Sequence, residues 1–447
     1  MKKVLTLILV LVMLFSITAC AEKKKNIADI SIDKLELGKD YKDIKADIKV
    51  ITHRTDIVDT VLADYVKEFQ KLYPNVKITY EAITDYSQTI TTRLTTPNWG
   101  DICMIPGDVD KPAFSTYFIS FGDQTKLSEK YIFLNDKSFD GKVYGIPSTN
   151  NVQGIVFNKA VFTEAGITSM PKTPDEFLSA LQLIKDNTDA IPLYTNFAAG
   201  WTMGAWDAYI GGTSDGDANY MNQVLPHAKN PFADRGDGTG PYAVYYCLYE
   251  AVKRGLIEED PTTTDWEGCK AMINNGEIGT MVLGSWAVSQ MQQAGPNPDN
   301  IGYMPFPISV NGVQYASAGP DYCYGINVHS SVDNQIASML YVKWLTEVSN
   351  FAFDQGGIPE VKDAALPATL TTFEGIEFVA NAPALEGEET LLGDINTESE
   401  VAINNNNDRV ASIVSEAFGG GKTLTEITDE WNAKWTAAQE TLGVTVN

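Results

Sequence analysis

Histidine is scarce in this chain: three residues in 447, at His53, His227 and His329. No HExxH pair exists, so metal-dependent catalysis has little to stand on. Cysteine is nearly as rare, with five residues: Cys20, Cys103, Cys247, Cys269 and Cys323. No two stand at CxxC spacing, which excludes zinc ribbons and thioredoxin-like motifs. Their wide separation gives no disulfide framework, and Cys103, in an apolar strand pattern, reads as a buried, inert thiol. Positive charge is short as well. Lysine and arginine total 33 against 58 acidic residues, a formal net charge of -25. Nucleic acid is therefore a poor partner, because its phosphates need basic groups. The acidity itself reads as a solvated surface.

What is present is ordinary globular protein, 44% hydrophobic and 20% charged. The length calls for more than one core. Residues 1–20 read as a signal: Lys2 and Lys3, then an apolar run from Val4 to Phe15 that is too short for a good membrane span. Residues 21–46 are polar and lysine-rich near their start, and read as a partly disordered spacer. From Ile48 the pattern is strand, helix, strand, helix, strand, ending at Asp101 to Ile105. The intervening helix carries Val58, Val61, Leu62, Tyr65, Val66, Phe69 and Leu72 on one face, and Asp56 is placed to cap it. That order implies a parallel sheet covered by helices, with ligands outside the carboxyl ends of its strands. It points to the loops at 53–56 and 106–110.

The stretch FDGKVYGIPSTNNVQGIVFNKAVF, residues 139–162, organises the rest. A short strand over 142–146 is closed by Pro147, 148–151 is a polar gap, and 152–157 is a second strand. Asn158 then caps a helix that Gly166 stops. Asp140-Gly141-Lys142, Tyr144-Gly145, Pro147 and Phe157-Asn158-Lys159 together resemble the first inter-lobe crossing of the family 1 extracellular solute-binding proteins, the maltose-binding-protein-like receptors of ABC importers. Tyr315 to Asn327 and Gly356 to Pro359 resemble the second and third crossings.

The resemblance implies an α/β, two-lobe periplasmic-binding-protein-like fold of type II with a three-segment hinge. Lobe 1 would comprise 47–150 plus 323–359, and lobe 2 would comprise 151–322 plus 360–447. It also implies a carbohydrate ligand between the lobes, an ABC permease as partner, a monomer and no cofactor. Ile17-Thr18-Ala19-Cys20 resembles a lipobox, implying cleavage before Cys20, lipidation of its sulfur and a tether outside the cell membrane. For the ligand site it points first to Trp286, in Gly284-Ser285-Trp286-Ala287 after the buried strand 278–283. An indole there offers a flat, rigid face to the C–H side of a pyranose. Asp108 follows the third strand, where a carboxylate can accept from adjacent hydroxyls. Arg54, Asn150, Asn151, Asp321, Tyr322, Trp201 and Trp206 complete the expected ligand-binding set. Trp431 and Trp435, on an amphipathic face near the end, read as core.

Other readings remain open at this point. A ferric-ion receptor would draw on Tyr322 and Tyr324, and a polyamine or peptide receptor on the acidic loops. A hydrolase would use Ser214 in Gly212-Thr213-Ser214-Asp215-Gly216, although the residues before it read as helix where a nucleophile elbow needs a strand. Asp215, Asp217 and Asn219 begin like an EF-hand, but Tyr220 and Pro226 stand where glycine and glutamate are required. Before Lys422-Thr423, Glu416 stands where Walker A needs glycine.

Overall fold

The computed structural model describes residues 27 and 30–447 except 374, 405 and 406. The signal and Cys20 lie outside the described residues. Two sheets define two lobes. In the first, β1 (Ala46–Thr52) is flanked in parallel by β2 (Val76–Ala82) and β3 (Ile102–Ile105). Helices α1 (Val61–Leu72) and α2 (Tyr86–Leu94) make the crossovers. Asp56 does not cap α1. The chain turns through 55–60 first, Thr60 takes the cap position, and the Asp56 carboxylate goes to Arg54 instead.

The expected strand at 142–146 divides. Lys142–Val143 joins a small three-stranded sheet, and β4 (Ile146–Pro147) is the edge of the first large sheet. Strand β5 (Asn150–Asn158) then enters the second sheet. It begins inside the expected polar gap. Along β5 the faces alternate with period two. Ile155 and Phe157 point into one core, which also holds Leu181, Leu248 and Trp435; Val152 and Val156 point into another with Met281, Leu283 and Tyr303. Its antiparallel neighbour is β6 (Ile278–Gly284), and β7 (Val313–Pro320) pairs with its first residues from the opposite side. Strand β8 (Cys323–Ile326) returns to the first sheet between β3 and β4. Asn158 caps the helix after β5 through the amides of Ala160 and Val161, as its position in the sequence predicts. Trp431 and Trp435 are buried in the second lobe.

The crossings lie side by side. Only Ser148 and Thr149 separate β4 from β5, and only Asp321 and Tyr322 separate β7 from β8. The Ser148 amide donates to the Tyr322 carbonyl at 2.9 Å, and the Asp321 amide to the Thr149 carbonyl at 2.9 Å. Asn150 and Ile358 exchange backbone bonds of 3.0 and 2.7 Å, which ties in the third segment.

Residues 30–45 are not a free spacer. Ile32, Leu35 and Ile44 are buried in the first core, and the Ile32 amide donates to the Phe121 carbonyl. The apolar side chains in this stretch are only weakly periodic, yet Ile30, Ile32, Leu35, Leu37, Tyr41 and Ile44 all pack into or against the same core.

Candidate functional site

A cleft of about 720 Å³ opens where the crossings meet the two lobes. Its second-lobe wall is aromatic. Trp201, Trp266 and Trp286 form a triangle, with ring centroids 5.0 Å apart for Trp201–Trp266 and 5.7 Å for each of the other pairs. Each comes from the start of a helix: Trp201–Gly204, Trp266–Asn275 and Trp286–Gln293. A side chain at a helix start lies at the end of its lobe, so three separate helices present indoles to one space. Trp201 is 40% exposed, a large apolar surface left to water. Lys270, one helical turn after Trp266, places Nζ 4.8 Å from that ring centroid and pairs with Glu267 at 2.9 Å.

The short residues before Trp286 fix its ring. A β-carbon on Gly284 would lie 2.7 Å from Trp286 Nε1, so the indole packs over a bare strand end. Ser285 is buried; its hydroxyl accepts from the Val152 amide and donates to Asn151 Oδ1 at 3.3 Å, which holds the Asn151 amide at the cleft floor.

The first-lobe wall is polar. His53 lies against Tyr322 with ring centroids 4.6 Å apart, and the Tyr322 hydroxyl is 2.9 Å from that of Ser87. Burial lowers the His53 pKa, and the Asp321 carboxylate, 4.0 Å from Nε2, opposes without reversing it. His53 is therefore a neutral ring at physiological pH. Arg54 makes two bonds to Asp56, at 2.8 and 2.7 Å, and one to Gln355 Oε1 at 2.6 Å. Burial acts to raise the Asp56 pKa, but the Arg54 bonds outweigh it and hold the carboxyl below its usual value. The result is an apolar wall of three indoles inclined to one another by 51 to 83°, facing hydrogen-bonding groups fixed in place. Such a pairing fits a ligand with C–H faces and a rim of hydroxyls.

The bacterial extracellular solute-binding protein family model matches residues 55–350. The chain belongs to that family. A manno-oligosaccharide-specific solute-binding protein of Bifidobacterium animalis subsp. lactis, solved with mannotriose, is 46% identical over 93% of this chain and 100% of that one, with a TM-score of 0.90. A second binding protein of that organism, of an ABC transporter and solved with mannobiose, is 47% identical over the same shares with a TM-score of 0.90. The multiple sugar-binding protein of Streptococcus mutans is 25% identical over 60% of this chain and 63% of its own, so that alignment spans less than two thirds of the relative. The two-lobe α/β fold is thereby shown, and the family is an extracellular one whose members are binding proteins.

For this solute-binding protein, six of the residues expected at the ligand site, Arg54, Asn151, Asp321, Tyr322, Trp201 and Trp286, line the cleft together. Three expected residues stand elsewhere. Trp206 is 2% exposed and packs edge-on against Phe306, inside the second lobe. Asn150 is fully buried and its side-chain amide donates to the Ile358 carbonyl, so it joins the first crossing to the third. Asp108 stays on an exposed first-lobe loop, accepts from the Thr91 hydroxyl and does not line the cleft. Trp266, Lys270, Ser87 and Gln355 line it unforeseen, while His53 lies in the loop at 53–56 to which the strand order points. The sequence signal for Trp266 was its place one residue after Asp265, which caps the helix and so marks a lobe end.

Two of the rival readings, the hydrolase and the ferric-ion receptor, lose residues they would draw on. Ser214 is fully buried and donates to the Ile210 carbonyl from within a four-residue helix, so it is no exposed nucleophile. Tyr324 is buried in the first core, apart from Tyr322 on the cleft. Among the described residues no cluster of histidine, cysteine and carboxylate side chains is arranged to hold a metal, and no helix is long and apolar enough to cross a membrane. The four described cysteines are buried free thiols.

Proposed function

We propose that this protein is the extracytoplasmic receptor of an ABC importer and that it captures a manno-oligosaccharide between its lobes. The observation that carries this reading is the triangle of Trp201, Trp266 and Trp286 facing His53, Arg54 and Tyr322 across the cleft. Indole faces stack on pyranose C–H surfaces, and the opposite wall supplies donors and acceptors to ring hydroxyls. Likeness to two manno-oligosaccharide and mannobiose-bound proteins over nearly the whole chain supports mannose units as the sugar. The protein does no chemistry in this reading. Both walls contact sugar fully only in the closed state, so ligand favours closure, and the closed form docks on the permease as a monomer. Asn151 and Asp321, from the crossings themselves, contact the sugar at the floor.

Lipidation of Cys20 tethers the mature chain to the outer face of the cell membrane. Mass spectrometry of the membrane-extracted mature N-terminus checks this; an unmodified Cys20 overturns it. The ligand is tested by calorimetry with mannobiose and mannotriose beside gluco-, galacto- and xylo-oligosaccharides of equal length. Preferential binding of the mannose series is expected. Silence toward mannose with binding of another series would reassign the sugar, and binding of none would end the sugar reading.

A further inference from the structure

Beside the tryptophan cleft lies a second hollow of about 240 Å³ with no indole in its lining. It is built on the same strands. Asn151 and Gln153 alternate onto one face of β5, and across the β7 pairing Gly319 stands opposite Asn151. Asn151 lines the cleft, while Gln153 and Gly319 line the hollow. Gly284 lies between the two linings: a β-carbon there would sit 2.7 Å from Trp286 Nε1 and 3.2 Å from Gln153 Oε1. A β-carbon on Gly319 would meet nothing within 4 Å, so the floor between them is bare and open.

The hollow carries unspent hydrogen-bonding capacity. The side-chain amides of Gln153 and Asn381 have no partner among the described residues, and each offers donors and acceptors. Asp136, 47% exposed and paired with Lys137 at 3.1 Å, faces it from the first lobe. Its far side is rigid. Asp207, buried in the second lobe, accepts from the Asn404 amide and is paired with the buried Arg409, which stacks 4.4 Å over Trp431. The segment held there has left-handed backbone at Glu400, Ala402 and Asn404, a shape that survives where surrounding contacts impose it.

We infer that this polar hollow is an extension subsite: it receives a further sugar unit of an oligosaccharide whose neighbouring unit stacks on the tryptophans, and Gln153 and Asn381 set the preferred chain length. The inference rests on the sugar-receptor reading above. Its chemistry differs from that of the cleft, since hydroxyls are read by amides with no aromatic platform. Asp136 adds an acceptor from the opposite lobe, so a ligand reaching the hollow touches both lobes there too.

The test is calorimetry with mannobiose, mannotriose and mannotetraose on the wild type, Gln153→Ala, Asn381→Ala and Gly319→Leu. Wild-type affinity rises with length over this series. Each amide variant reduces affinity for the longest ligand that gains by roughly five- to tenfold and leaves the shortest within about twofold, as expected for one lost hydrogen bond. Gly319→Leu, whose β-carbon meets nothing within 4 Å and whose side chain extends over the open floor, removes the length dependence altogether. Equal wild-type affinity along the series, or equal weakening of every ligand by the amide variants, overturns the subsite while the sugar reading stands. If another oligosaccharide series binds instead, the same criteria apply to its lengths. If no oligosaccharide binds, both readings fall.

Discussion

On the proposed reading, Trp286 is the residue on which sugar binding should depend most. Its ring is half-buried: two indole neighbours and the bare Gly284 strand end cover it, and the cleft leaves the rest open. A sugar stacked on it would bury the remaining apolar area at about 25 cal/mol per Å², with roughly 1 kcal/mol more for the ring contact. Trp286→Ala is therefore expected to weaken sugar binding by roughly 2 to 4 kcal/mol, about 30- to 1000-fold. Ligand-free stability should fall by less than the 3 to 5 kcal/mol or so typical of a fully buried tryptophan. Calorimetry and urea unfolding on the one variant separate the outcomes. Unchanged affinity with a large loss of stability would make Trp286 a packing residue. Trp206 shows why both measurements are needed. It lies five residues after Trp201 in the same aromatic-rich segment, yet it is sealed against Phe306 while Trp201 faces water. Composition treats the two alike; the turn from α-helix at 201–204 to 3₁₀ helix at 205–209 sends them to different places.

At the scale of elements, the hinge is a ladder of three segments, and Gly357 is its tightest contact. A methyl group there would collide with Thr149 Oγ1 and stand 3.0 Å from the Asn150 carbonyl oxygen. Gly357→Ala must push the third crossing off the first, at the cost of the Asn150–Ile358 bond pair beside it. Overpacking of this kind costs about 1 to 3 kcal/mol, to be read as a lower urea midpoint with an unchanged slope. An unaltered midpoint would show that the segments separate freely. These elements were unequally legible. Caps were legible where nothing distant competed: Asn158 starts its helix where it predicts, bonding amides two and three residues on, whereas the Asp56 carboxylate goes to Arg54 and leaves the cap position to Thr60. The crossing from Ile146 to Phe157 was legible from its order of residues. The role of Asn150 was not, since its amide finds Ile358, 208 residues away, and only the third segment's register decides that contact. The triangle of tryptophans has the same origin. Trp201, Trp266 and Trp286 are distant in sequence and meet because three helices begin at one end of one sheet.

For the whole molecule the question is whether ligand moves the lobes. Each of two crossings has only two residues between strands of opposite lobes, and all three are bonded laterally. A hinge so short and cross-linked allows rotation of one lobe on the other but little sliding. The apolar wall belongs to the second lobe, while His53, Arg54 and Ser87 belong to the first. To carry the molecule from about 1% to 99% closed, sugar must favour the closed form by roughly 5.5 kcal/mol. Hydrogen bonds made only on closure contribute about 0.5 to 1.5 kcal/mol each, so four or more from the first-lobe wall, with the desolvated ring contacts, reach that value. Solution scattering should accordingly give a smaller radius of gyration with saturating sugar than without. The radius should return toward the ligand-free value for Trp286→Ala at the same sugar concentration and recover at concentrations that saturate the variant. Were the radius constant while calorimetry showed full occupancy, the sugar would be held by the tryptophan wall alone. The first-lobe groups would then contribute nothing to affinity, and substituting Arg54 or Ser87 would leave it unchanged.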